Sequence, residues 1–161
     1  MNVLIAGIGN IFEGDDAFGC EVARALTTRT FPDGVRVVDF GIRGLDLAYA
    51  LLDKPDLAIL LDATQQGGAP GTIYTMRPDL QSVASVQATA PDAHSMDPVS
   101  VLRMAQAMGG ELGRIVLVGC EPADLGGEEG RMGLTPAVAG AVEQAADIVV
   151  SLVKQEEMVE V

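Results

Sequence analysis

Three polar residues carry side chains that could bind a divalent cation or transfer a proton: Asp16, Asp62 and His94. Asp62 directly follows the apolar run Leu57–Leu61, and burying an ionised carboxylate there is costly unless a partner offsets its charge. His94 is the only histidine, and imidazole is both the commonest metal ligand and a common general base. Two carboxylates and one imidazole would form an open site suited to a borderline cation such as nickel or zinc. The spacing alone indicates such a site only weakly, because no sequential metal motif is present.

Each of these residues also has an ordinary structural explanation. Asp16 falls in the first turn of a predicted helix, where the helix dipole stabilises a carboxylate. Asp62 could hydrogen-bond to a loop amide, and a lone loop histidine such as His94 is often simply exposed. The neighbouring Asp15 is predicted to be the N-cap of that helix, a role that stabilises a helix by about 1 kcal/mol. These alternatives stay open at the level of spacing.

Four apolar runs predict the strands that would position these side chains: Val3–Ala6, Val35–Val38, Leu57–Leu61 and Arg114–Val118. Continuous apolar runs of this length are typical of strands buried on both faces. Helical periodicity separates most of them, which predicts an α/β fold with a mostly parallel, twisted sheet and helices on both faces. Thr72–Met76 follows the third strand too closely for a parallel crossover, which needs about a dozen residues. We therefore expect about five strands, with one antiparallel edge strand.

The remaining segments indicate the domain organisation. Gln81–Asp97 and Gly119–Leu134 are predicted loops, and long loops in compact domains tend to be functional or mobile. The final helix is predicted to begin at Thr135-Pro136, with the threonine as N-cap. We expect residues 1–154 to form one domain and residues 155–161 to be a frayed tail.

Composition excludes several functional classes. The 161 residues carry a formal net charge of −13, so the surface should repel nucleic acid and anionic membranes. The sequence begins directly with a strand pattern rather than a secretory leader, and we expect a cytoplasmic protein without a membrane span, most simply a monomer. Cys20 and Cys120 are too few for a disulfide framework, and we expect both to be buried small hydrophobes rather than nucleophiles.

A cleft is predicted where the strands end, because ligands of open parallel sheets bind beyond the carboxyl ends of the strands. The residues expected to line it follow the first and second strands: Gly7, Gly9, Asn10, Asp39, Gly41 and Arg43. A glycine loop and an acid at these places are also parts of a dinucleotide site. That alternative is disfavoured, since Phe12 replaces the third glycine and three carboxylates crowd the helix N-terminus where a pyrophosphate would bind.

Six segments spread over nearly the whole chain form a recognisable pattern. They are Val3–Gly19, Asp39–Gly44, Leu60–Ala63, His94 with the helix around Leu102, Val118–Pro122 and Gly133–Val138. Together they resemble the motifs of the hydrogenase maturation endopeptidases. That family removes the C-terminal extension from the large subunit of nickel–iron hydrogenases once nickel has been inserted.

The resemblance implies specific roles for the three polar residues. Asp16, Asp62 and His94 would contact nickel, and the nickel would be carried by the substrate, so no permanently bound cofactor is expected. The implied partner is the large-subunit precursor of a nickel–iron hydrogenase. Because the family is classed with aspartic-type peptidases, Asp16 and Asp62 are also candidates for the catalytic groups. A nickel-binding maturation chaperone without catalysis is the alternative function.

Two departures from the family pattern concern the site. Asp16 stands where many relatives have glutamate, so its carboxylate reaches about one methylene less far. Ile42-Arg43 replaces a small, hydroxyl-bearing pair that is common in that turn, and Arg43 could alter which precursor is accepted. The departures therefore bear on the identity of the substrate more than on the type of reaction.

Overall fold

The computed structural model describes residues 1–85 and 97–159. Within them, one sheet contains β1 (Val3–Ile8), β2 (Val35–Gly41), β3 (Leu57–Ala63), β4 (Ile73–Met76) and β5 (Arg114–Cys120). The strand order is β2-β1-β3-β5-β4. β1 pairs in parallel with β2 and β3, β3 pairs in parallel with β5, and β4 pairs antiparallel with β5. The predicted mostly parallel sheet with one antiparallel edge strand is confirmed.

Helices cover both faces of this sheet. They are α1 (Phe18–Leu26), α2 (Gly44–Leu52), α3 (Leu80–Ser85), α4 (Pro98–Ala107), α5 (Pro136–Ala139) and α6 (Val142–Val159), and a 3-10 turn (Gly14–Ala17) precedes α1. Alternate side chains of β1 enter different cores. Val3 and Ile5 lie in the core with α1 and α6, whereas Leu4 and Ala6 lie in the core with α2 and α4. Burial on both faces explains why β1 and β3 are continuously apolar.

The segment predicted as a loop from Gln81 begins instead within α3. This short helix packs against α4, where its Val83 is buried. The side-chain amide of Gln106 also donates a hydrogen bond to the carbonyl oxygen of Leu80, at 3.0 Å. Packing against a neighbouring helix therefore overrides the polar character of the segment.

The C-terminal region also differs from the expectation. The predicted final helix is broken, because α5 ends at Ala139 and α6 begins at Val142. The expected fraying from residue 155 is wrong as far as Val159, since α6 continues to that residue. Glu156 is buried in this stretch and forms an ion pair with Arg114 at the start of β5, which ties the helix end to the sheet.

The segment Pro136–Val159 is long and apolar enough to span a membrane by length and composition. Of its most apolar 18-residue window, 33% is buried inside the fold. Val138, Val149 and Val153 are buried in the core beside α1. The helix also forms ion pairs with Arg29 through acidic side chains on its exposed surface. In this structure the apolar segment forms helix that packs on one face of the sheet.

Two glycines let α1 lie unusually close to the sheet. A Cβ atom added at Gly19 would overlap the carbonyl oxygens of Leu61 and Ile8, and one added at Gly7 would lie 2.5 Å from the carbonyl oxygen of Gly19. The close approach brings the 3-10 turn, which carries Asp16, over the carboxyl ends of β1 and β3. The position of Asp16 over the sheet therefore depends on glycine at positions 7 and 19.

We expect Gly19→Ala to destabilise the protein by roughly 3 kcal/mol, because backbone atoms on two strands would have to move. Alanine in an exposed helix position normally stabilises a protein relative to glycine. A loss of stability in Gly19→Ala would therefore indicate that the new Cβ atom overlaps the strands. Gly140→Ala is the matched control, since its new Cβ would lie 3.4 Å from the nearest atom, the carbonyl oxygen of Pro136. Urea unfolding of both variants measures the effect. Equal stability of Gly19→Ala and the wild type would contradict the proposed close packing.

Candidate active site

Four acidic residues gather near the carboxyl edge of the sheet. Asp15 and Asp16 lie in the 3-10 turn after β1, Asp62 lies near the end of β3, and Glu121 directly follows β5. Asp15, Asp62 and Glu121 are buried, and Asp16 is half-buried. Hydrogen bonds among the described residues divide them into two carboxylates with several donors and two with one donor each.

Asp15 is fully buried and well satisfied. Its carboxylate accepts hydrogen bonds from the backbone N–H groups of Ala123 (2.8 Å), Asp124 (3.0 Å) and Thr135 (2.7 Å), and from the Thr135 hydroxyl. Burial acts to raise the pKa of Asp15, but these hydrogen bonds outweigh it and hold the pKa below its usual value. Asp15 therefore fastens the β5–α5 loop to the 3-10 turn.

The prediction that Asp15 is an N-cap is wrong. The residue lies inside the 3-10 turn, with Glu13 at the cap position, because the chain coils one turn earlier than the apolar periodicity indicates. The Thr135 side chain likewise makes no cap hydrogen bond to α5, and its hydroxyl donates to Asp15 instead. Thr135 does occupy the predicted N-cap position of α5, directly before Pro136, but its side chain stabilises the contact with Asp15 rather than the helix end.

Glu121 is the second satisfied acid, and its role was not anticipated from the sequence. Its carboxylate accepts hydrogen bonds from the N–H groups of Gln66 (2.9 Å) and Gly68 (2.7 Å) and from the Tyr74 hydroxyl (3.1 Å). Burial acts to raise the pKa of Glu121, and the hydrogen bonds more than reverse it. The sequence signal that could have predicted this role was an acid directly after a strand, in a protein whose β3–β4 connection is rich in glycine.

Asp62 has far fewer hydrogen-bond donors among the residues that the structure describes. It is 7% exposed, and within the described residues its carboxylate accepts one hydrogen bond, from the adjacent Ala63 N–H at 2.8 Å. Burial raises the pKa of Asp62 well above its usual value, and the negative charge of Asp16 raises it further. The folded protein therefore favours a proton or a cation at this carboxylate.

Asp16 completes the pair. In the described part of the chain its carboxylate accepts one hydrogen bond, from the Asn10 N–H at 2.8 Å. Burial raises the pKa of Asp16 despite that bond, and the charge of Glu13 adds to the effect. Asp16 and Asp62 both line a cavity of about 630 Å³, together with Asp97. The cavity is large enough for a ligand to reach both carboxylates.

The structure thus brings together two members of the predicted metal-binding set. His94, the third member, lies outside the described residues, and its role stays a prediction. Among residues 1–85 and 97–159, no group of three His, Cys, Asp or Glu side chains is arranged to hold a metal ion. Asp16 and Asp62 therefore offer two carboxylates that need further ligands to complete a coordination shell.

Five of the six predicted cleft residues line a second cavity, a groove of about 410 Å³ between the loops that follow β1 and β2. They are Gly9, Asn10, Asp39, Gly41 and Arg43. The sixth, Gly7, lies inside β1 and serves the close packing against α1. Hydrogen bonds from the guanidinium of Arg43 to the carbonyl oxygens of Asp39 and Phe40 fix the turn at the end of β2.

Both cysteines are buried, as expected. Burial raises the pKa of the Cys20 thiol, and it raises the pKa of Cys120 to about 11. Neither thiol is therefore ionised at neutral pH, which disfavours a cysteine nucleophile. The carboxylate pair is the better candidate for chemistry.

Comparison with known proteins identifies the family. Residues 20–152 match the family model described as hydrogenase maturation protease. The chain is 38% identical over 144 residues to the hydrogenase expression/formation protein HupD of Rhodobacter capsulatus, covering 89% of this chain and 67% of that protein. It is 29% identical over 156 residues to the hydrogenase 2 maturation protease of Escherichia coli, covering 96% and 92% of the two chains.

The fold agrees as well. The solved structure of the hydrogenase maturating endopeptidase HybD from Escherichia coli superposes with a TM-score of 0.77 at 29% identity, covering 97% of this chain and 94% of that one. The fold and these similarities therefore define an α/β peptidase. The chain belongs to the hydrogenase maturation protease family.

The two classes of carboxylate predict opposite effects of the same substitution on stability. We expect Asp15→Asn to lower the free energy of unfolding by about 2 kcal/mol at pH 7, because an amide cannot satisfy donors that converge on a carboxylate. We expect Asp62→Asn to raise it by about 1 kcal/mol, because the buried charge disappears. Denaturant unfolding of both variants measures the difference.

The pH dependence of these effects follows from the pKa directions. Asp62, with a raised pKa, contributes stability below its unfolded pKa of about 4 that is lost as pH rises through the folded value, so the gain from Asp62→Asn should grow with pH. Asp15, with a lowered pKa, contributes stability above about pH 4 that is lost as pH falls through the folded value. The loss from Asp15→Asn should therefore shrink in acid. Parallel pH profiles for the two variants would refute the division into two classes.

Proposed function

We propose that this protein is an endopeptidase that removes the C-terminal extension of the nickel–iron hydrogenase large-subunit precursor after nickel insertion. In this proposal Asp16, Asp62 and His94 recognise the nickel that the precursor carries. The observation that carries the proposal is the buried Asp62 carboxylate beside Asp16 at a wide cavity, with one hydrogen bond from the described residues. Membership in the maturation protease family supports the choice of substrate.

The character of the carboxylate pair favours a cation that arrives with the substrate. Two nearby negative charges in a partly desolvated place attract a divalent ion, which offsets the repulsion between them. Two carboxylates and one imidazole would leave positions open for ligands from the precursor, namely the cysteines that hold its nickel. A precursor without nickel would lack this contact and would be bound less well. The metal therefore acts as a recognition element, and the protease needs no resident cofactor.

Two chemical routes for hydrolysis are compatible with the pair. Nickel at the site could polarise the scissile carbonyl or activate a water molecule. Alternatively, one carboxylate could act as a general base or acid, and a raised pKa brings Asp62 closer to the pH at which such a group works best. The second route matches the aspartic-type classification that the resemblance implies.

The proposal extends to location and partners. A formal net charge of −13 disfavours nucleic acid and anionic membranes as partners. We propose a cytoplasmic monomer whose main macromolecular contact is the precursor. The alternative is a nickel-binding chaperone, which the abundance of acidic groups around the cavity favours. It predicts tight nickel binding by the isolated protein and no cleaved product.

A cleavage assay tests the proposal. The purified chain is incubated with nickel-loaded and nickel-free large-subunit precursor, and the mass of the large subunit is followed with time. We expect only the loaded precursor to be shortened, and we expect Asp62→Asn to lose at least about 99% of the rate, as is typical when an acid–base or metal-contacting group is removed.

Asp33→Asn is the matched control, because Asp33 is an exposed aspartate remote from the candidate site in the loop before β2. It should process the precursor at the wild-type rate. Equal processing of loaded and nickel-free precursor would end the nickel-recognition proposal. Micromolar nickel binding without any shortened product would instead favour the chaperone.

A further inference from the structure

The groove between the loops after β1 and β2 has an apolar rim. Phe12 is 62% exposed and Ile42 is 61% exposed, and these two side chains line the groove from opposite loops. Ile11 extends the rim on one side. Contiguous exposed apolar groups of this kind mark interaction sites more often than isolated exposed hydrophobes do.

The backbone that presents these side chains is firmly held. The Gly9 N–H donates to the carbonyl oxygen of Gly41 at 3.0 Å, which joins the two loops. The Phe12 N–H donates to the side-chain oxygen of Asn10 at 2.9 Å, and the Phe12 carbonyl accepts from the Arg131 N–H at 2.9 Å. The apolar rim is therefore preorganised, which lowers the entropic cost of binding a ligand there.

Unpaired negative charge lies beside the apolar rim. Asp39 lines the groove, and Glu13 follows Phe12 on the first loop. Within the described part of the chain, neither acid has a cationic partner. Arg43 is the basic residue of the groove, and its guanidinium is engaged by Asp46 at 3.5 Å and by two carbonyl oxygens. The groove therefore complements a ligand with both apolar and basic groups.

The groove adjoins the carboxylate pair at Asn10. Asn10 lines the groove, and its N–H donates to the Asp16 carboxylate at 2.8 Å, whereas Asp16 itself lines the neighbouring cavity of about 630 Å³. A ligand that contacts Asn10 therefore lies beside the residue that holds Asp16. This adjacency favours, as the ligand, a segment of the molecule that reaches the candidate active site.

We propose that the groove binds an extended segment of the substrate protein next to the scissile bond. A large apolar side chain of that segment packs against Phe12 and Ile42, and a neighbouring Lys or Arg side chain pairs with Asp39. The identity of the substrate rests on the proposed function, whereas the chemistry of the segment follows from the groove itself. Phe12, Ile42 and Asp39 are then specificity-determining residues.

Steady-state processing of the nickel-loaded precursor tests this proposal. We expect Ile42→Ser and Phe12→Ser each to raise KM at least about fivefold, the size of effect expected for losing one apolar contact, with kcat unchanged. Asp39→Asn should also raise KM, and the increase should vanish at high salt. This variant retains the side-chain oxygen that accepts the Gly41 N–H in the present turn. Met158→Ser, which removes an exposed apolar side chain near the end of α6, should leave both constants unchanged.

The outcomes separate this inference from the proposed function. If the wild type cleaves the precursor and the Ile42→Ser and Phe12→Ser variants keep KM within about twofold, the groove proposal is overturned and the proposed function stands. A dimer that Ile42→Ser converts to a monomer in analytical ultracentrifugation would also overturn it, because a second copy would be the occupant.

If the wild type cleaves no precursor, binding of fluorescein-labelled decapeptides decides the matter. A peptide with an adjacent Leu-Lys pair should bind the wild type at least about fivefold more tightly than one with Ser-Asp in its place. Ile42→Ser should abolish that preference. Equal binding of the two peptides, or no binding, would overturn the groove proposal.

Discussion

The buried carboxylate of Asp62 is the constraint on which the site depends. The side chains of β3 must be apolar to fill the two cores, yet Asp62 near its end is an acid. Among the described residues, its buried carboxylate accepts one hydrogen bond. Natural folds usually surround buried charges with donors or ions, because an unpaired charge is costly. Here Asp16 lies close enough to raise the pKa of Asp62 further. This carboxylate pair therefore favours binding of a proton or a cation.

Burial does not by itself separate structural acids from functional ones in this protein. Asp15 and Glu121 are as deeply buried as Asp62, but their donors hold their pKa values low. These two acids fasten the β5–α5 loop and the β3–β4 loop, which contribute to the walls of the large cavity. Asp15 and Glu121 thus stabilise the loops around Asp16 and Asp62. The hydrogen bonds of Asp15 and Glu121 stabilise the fold directly beside Asp62, whose buried carboxylate destabilises it.

Much of the architecture was predictable because it depends on local apolar patterning. The short connection before β4 indicated its antiparallel direction, and strand-end logic identified Asp62 and Asp16. The role of Asp15 was not predictable, because its partners lie more than a hundred residues away, at Ala123 and Thr135. Long-range hydrogen bonds of this kind leave no periodic trace in a sequence.

Other features escaped prediction for similar reasons. Where α6 continues past residue 155, Glu156 forms an ion pair with Arg114 at the start of β5, a contact between residues far apart in the sequence. The sequence also marked Phe12 and Ile42 only as departures from expected motifs. Their shared position on one groove follows from the parallel pairing of β1 and β2, which places consecutive strand ends side by side.

The most direct test of the account is a carbon-13 NMR titration of the side-chain carboxyl groups in the metal-free protein, with signals assigned through the Asn variants. We expect the pKa of Asp62 to lie well above the usual aspartate value of about 4, the pKa of Asp16 to be raised as well, and the pKa of Asp15 to lie below that value. Coupling between Asp16 and Asp62 should appear as a second inflection in each curve. An ordinary or lowered pKa for Asp62 would contradict the claim that burial and the nearby charge of Asp16 disfavour the ionised form of this carboxylate.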